Sequence, residues 1–108
     1  MAKKTLIFAS LKTEDDYYPV SFAFTSWDEF HRATWNPTVD VKTVIDLSRV
    51  SGKTYAEKQA DLREKAIEFQ HADEGGLSYG ELVEVMNFFD KYGKRYGLLR
   101  EFHENGIC

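Results

Sequence analysis

Cysteine is almost missing from this sequence. The single Cys108 cannot close an internal disulfide, so the fold does not depend on an oxidising compartment and a cytoplasmic setting is expected. Long apolar runs are missing too. No segment approaches the roughly 20 apolar residues needed to span a bilayer, and no membrane partner is expected. The run from Leu6 to Leu11, behind Lys3 and Lys4, is broken by Lys12, Glu14, Asp15 and Asp16, too soon for a secretion signal. Charge of one sign is also lacking. A formal net charge of -4 argues against nonspecific nucleic-acid binding over the whole surface, and it falls far short of a DNA mimic.

Catalytic constellations are likewise thin. His31, His71 and His103 are far apart in the chain, without the close spacing of metal-binding pairs. No oriented cysteine-histidine arrangement can be read for Cys108, although His103 lies near enough in sequence to approach it. Asp15 with Asp16, and Asp73 with Glu74, read as solvated turn residues rather than an acid and base in contrasting environments. The expectation is therefore a non-enzymatic protein with no catalytic residues, no metal ligands and no cofactor.

What is present is a folded composition. The 108 residues are 43% hydrophobic and 15% aromatic, enough for one domain over 1–108 with a core that needs no staples. Residues 4 to 11 form the first expected strand, apolar on both faces (Leu6 and Phe8; Ile7, Ala9 and Leu11), which places it centrally. A second strand, Tyr17 to Thr25, alternates Tyr18, Val20, Phe22 and Phe24 with Tyr17, Ser21, Ala23 and Thr25. Pro19 cannot donate to a ladder and puts this strand at the edge. A third, Val39 to Leu47, sets Val39, Val41, Thr43, Ile45 and Leu47 inward, and Asp40, Lys42, Val44 and Asp46 mostly outward.

Helix starts share one grammar. Ser26 with Glu29, Thr54 with Glu57 and Ser78 with Glu81 each show capping-box spacing. The first helix is short, with Trp27, Phe30, His31 and Thr34 on one side, and stops at Asn36 and Pro37. The second sets Tyr55, Leu62, Ala66 and Phe69 on one stripe. The third runs Leu82, Val85, Met86, Phe89, Tyr92, Tyr96, Leu99 and His103 along one face, interrupted by Gly93 and Gly97, and a kink, close contact or break is expected near Gly93. The fold class is α+β: a three-stranded antiparallel sheet in order 2-1-3, a short crossover helix and a C-terminal helical pair, β-β-α-β-α-α.

Val83, Phe88, Leu98 and Phe102 project away from that single face and need a second surface. The sheet, the chain's tail through Ile107, or a partner can supply it. Ser51 to Thr54 ends like a phosphate-binding loop, but Leu47 stands where that motif needs glycine, leaving a polar turn and cap with at most a weak anion contact near Lys53.

Residues 62 to 86 resemble one EF-hand of the calmodulin family, through Leu62, Phe69, Gly75, Leu77, Ser78, Glu81, Leu82, Val85 and Met86. The resemblance implies a calcium loop with Gly75 at its turn, Glu81 as bidentate ligand, and Glu74 and Ser78 as further ligands. Gln70 and Ala72 stand where that family places oxygen ligands, and the same residues also read as two helices joined by an acidic turn.

Lys91, Lys94, Arg95 and Arg100 interleave with Tyr92, Tyr96 and Phe102, as in segments that hold phosphates and stack bases. On a helix the cations lie opposite the core stripe that carries the tyrosines, so a solvated basic face is the plainer reading. The expectation drawn is a regulator or inhibitor that docks on a larger protein or complex through Phe88, Tyr92, Lys94, Arg95, Tyr96, Leu98 and Phe102. A nucleic-acid role for Lys91 to Arg100 and a degenerate calcium site stand as alternatives. In size and composition the chain is similar to small accessory proteins of bacteriophages and mobile elements.

Overall fold

Ile7–Lys12 is β1, and it pairs antiparallel with both β2 (Val20–Phe24) and β3 (Asp40–Asp46), giving the sheet order β2-β1-β3. A computed structural model describes residues 5–73 and 75–108; Lys3, Lys4 and Glu74, named above, lie outside them. Four helices follow the same chain order. They are α1 (Trp27–Thr34) between β2 and β3, then α2 (Tyr55–Ala72), α3 (Tyr79–Tyr96) and α4 (Leu99–Glu104).

All three expected N-caps form, with the hydroxyl of Ser26, Thr54 or Ser78 accepting from the amide three residues on. Only Ser78 and Glu81 close the box in both directions. In the other two the glutamate reaches one residue further back: Glu29 accepts from Thr25 and Glu57 from the Lys53 amide. Ser51 N donates to Asp61 and Lys53 N to Glu57, so these two amides just ahead of α2 are taken by the protein's own carboxylates, in the stretch where the sequence left room for at most a weak anion contact.

The helices divide unequally between the two faces of the sheet. Leu6, Phe8, Ile45 and Leu47 meet Leu62, Ala66 and Phe69 of α2, Val85, Phe88 and Phe89 of α3, and Phe102 and Ile107 beyond. This is the main core. On the opposite face, among the described residues, Ala9 and Leu11 form a small buried cluster with Phe30 of α1, with Phe24, Val39 and Val44 at the margin.

Two sequence expectations change here. A bulge between Ser10 and Leu11 shifts the β3 register, so Ala9 faces Val44 while Leu11 faces Val41. Because side chains alternate with period two, the shift moves Val39 and Val41 away from the face of Ile45 and Leu47 and leaves Val44 packed on the α1 side. The second change is in the last helix. It breaks at Gly97, in the left-handed conformation, rather than at Gly93, which stays inside α3 as the close contact: a Cβ there would meet the Phe102 ring at 3.0 Å.

Candidate functional site

The break at Gly97 decides where the expected partner surface goes. It restarts the helical phase, so Leu98 and Phe102 turn inward while Leu99 is half-buried and His103 is exposed. Phe88 and Tyr96 are each 7% exposed, and Leu98 and Phe102 each 1%. These four belong to the main core together with Ile107, and Phe88 and Phe102 reach the surface only as lining of clefts. Of the seven, Tyr92, Lys94 and Arg95 remain at the surface. Tyr92 with Phe88, Lys91, Leu6 and Leu47 lines a cleft of about 360 Å³ beside the sheet.

Both neighbours of Tyr92 already engage its ring: Lys91 Nζ is 5.3 Å from the centroid and the Arg95 guanidinium carbon 5.9 Å, with Tyr96 stacked at 6.3 Å. Lys94 pairs with Asp90 at 3.4 Å and Arg100 with Glu104 at 3.4 Å. Little of this segment's aromatic face is left for a base to stack on.

In the EF-hand-like turn, Glu81, which that resemblance makes the bidentate ligand, and Gln70, which stands where the family places an oxygen ligand, both have partners within the protein. Glu81 accepts from the Ser78 amide, and Gln70 Nε2 donates to the Asn105 carbonyl at 2.7 Å. Asp73 beside them accepts from Ser21 Oγ and from the Gly75 amide. Ser21 N also donates to the Gly75 carbonyl at 3.0 Å, so the turn ties the helical layer to the outer edge of β2.

Among the described residues, a thinly covered surface lies on the other side of the sheet. β2 turns its small residues, Ser21 and Ala23, toward the main core and its large ones, Phe22 and Phe24, toward α1. From there a chain of ring contacts crosses the face. Phe22 stacks on Phe24 at 6.2 Å, Phe24 meets Phe30 at 5.7 Å, and Phe30 meets Trp27 at 5.7 Å, edge to face. Trp27 also lies 6.2 Å from the His31 ring. Past the end of α1, Trp35 joins Asp28, His31 and Arg32 around a shallow hollow. Phe22 and Trp27 are each 41% exposed, and Trp35 80%.

Sequence reasoning passed over this face. In the sequence, Trp27 and Phe30 share one side of a short helix, and the pattern assigns that side no role. The available signal was the helix length: two turns that carry Trp27, with Trp35 just past their end, are too little scaffold to bury both rings.

No family model, curated protein or solved structure matches the chain. No helix among the described residues is long and apolar enough to cross a membrane. One further cluster lies at the far end of the helical layer, where Asp90, His103 and Cys108 converge. Burial pushes the Cys108 thiol pKa up from its ordinary value, and the nearby Asp90 carboxylate adds to the rise.

Proposed function

We propose that the protein is a docking module that binds and regulates a larger protein through the aromatic face built by β2 and α1. The observation that carries this reading is the inverted strand: β2 turns the buried Ser21 and the small Ala23 toward the main core, and leaves Phe22 exposed and Phe24 half-buried beside a helix too short to cover them. Folding alone favours the opposite arrangement, because burying large apolar groups drives core formation. A face of contiguous rings with Trp27 and Trp35 protruding suits a protein interface, where tryptophan, tyrosine and arginine dominate the binding energy. Arg32 and His31 between the tryptophans supply polar contacts at its centre.

The test is capture of partners from native lysate with the tagged chain and with a Trp27→Ser/Trp35→Ser variant, each with and without nuclease. One stoichiometric protein retained by the wild type, insensitive to nuclease and lost from the variant, is the expected result. With that protein purified, the variant should bind at least about thirtyfold more weakly, as loss of a central hot spot costs about 2 kcal/mol or more. Capture that survives both substitutions removes this face from the mechanism. Capture abolished by nuclease shifts the function to nucleic acid and to the Lys91 to Arg100 segment.

A further inference from the structure

We propose that Asp90, His103 and Cys108 form a zinc-type divalent metal site, with three protein ligands and a fourth position open to water. One carboxylate oxygen, one imidazole nitrogen and the thiol sulfur all lie within 4.8 Å of one another. Three points so spaced have a common centre at most about 2.8 Å from each. Zinc bonds to these donors are about 2.0–2.3 Å, so each ligand needs to close by well under 1 Å. His103 is exposed and its ring has room to make that movement.

All three ligand atoms are mutual neighbours. A cysteine-histidine-aspartate relay keeps the imidazole between the other two, with thiol and carboxylate apart; here thiol and carboxylate are also neighbours, which serves a shared cation better than proton transfer. Thiolate with imidazole and carboxylate is the mixed soft and borderline donor set of zinc, whereas calcium and magnesium take oxygen alone. Three protein ligands with one position left over is the pattern of an open zinc site.

The three residues come from three segments, and the fold holds each in place. Asp90 lies in α3, His103 in α4, and Cys108 follows the turn at Gly106, whose φ is 72°. Ile107 pins that turn by its burial and by donating to the Phe102 carbonyl at 2.9 Å, and Gln70 holds the Asn105 carbonyl from α2. Lys94 is the competitor, paired with Asp90 at 3.4 Å. Both side chains of that pair are substantially exposed, so it is solvent-screened and yields readily to a divalent ion.

The test is titration of chelator-treated protein with Co²⁺ alone, followed by displacement with Zn²⁺. The expected result is one Co²⁺ per chain, with a thiolate-to-cobalt charge-transfer band and the intense d–d bands of a four-coordinate ion, all abolished by Zn²⁺. Cys108→Ser should remove the charge-transfer band. His103→Ala, an exposed position whose circular dichroism should match the wild type, should weaken affinity about tenfold or more. Absence of the band at millimolar cobalt overturns the site. So does a band that persists unchanged in both His103→Ala and Asp90→Asn, or a stoichiometry of one cobalt per two chains, since either means cysteine alone holds the ion.

Discussion

The two faces of the sheet share one central strand and treat it differently. Ile7, Ala9 and Leu11 on one side of β1, and Leu6 and Phe8 on the other, are all buried, yet only one side has a deep core above it. Two 18-residue helices, α4 and the tail cover that side. On the other, α1 has eight residues and is about 12 Å long, against strands of about 17–23 Å. The centre of the thin side is sealed and its margins are not. Exposed aromatic surface therefore arises here from the length of the covering helix, while β1 reads the same from both faces.

The sharpest way to break this comparison is to empty the same volume on each side. Phe89→Ala, at a fully buried position in the main core, should cost about 3–5 kcal/mol in urea unfolding followed by far-ultraviolet circular dichroism. Phe30→Ala, beneath the thin cover, should cost about 1–2 kcal/mol because water reaches the space it leaves. Equal losses would show that the two layers are equally well packed.

A smaller effect sharpens the picture of the deep side. Gly93→Ala puts a methyl group 3.0 Å from the buried Phe102 ring and should lose about 1 kcal/mol net, in spite of alanine's better helix propensity. Gly80→Ala, in the same helix with nothing within 4 Å of the new atom, should gain about 0.5 kcal/mol. A gain at both positions would mean that α4 does not press on α3. Smallest of all is Trp35→Ser. At an exposed position it should change the unfolding free energy by no more than about 0.5 kcal/mol, so any loss of partner binding in that variant belongs to the surface rather than to the fold.

Much of the scaffold was legible in advance. Period-two and period-3.6 patterns, the two-sided apolarity of β1, Pro19 in the β2 region and the three cap pairs are local signals, and together they specify the strand order and the helix starts. The surfaces were less legible, because the facing of β3 and of the last helix each hangs on a single shift of phase, and the aromatic face on the length of α1. One extra residue in the β3 ladder exchanged the faces of Val39 and Val41, and Gly97, rather than Gly93, set which side of the last helix is buried. Phe88, Leu98 and Phe102 lie off the single face that runs from Leu82 to His103 and so need a second surface; they are buried in one cluster with sheet residues and Ile107, the cover the sequence offered beside a partner.

By itself, then, the sequence determined the elements, their order and the centrality of β1, since those follow from side-chain periodicity and capping within a few residues. Only the tertiary structure decided which aromatics stay uncovered and that Asp90, His103 and Cys108 meet. Both outcomes depend on how far a helix reaches and where a chain turns back, and those are set by packing between segments remote in the chain.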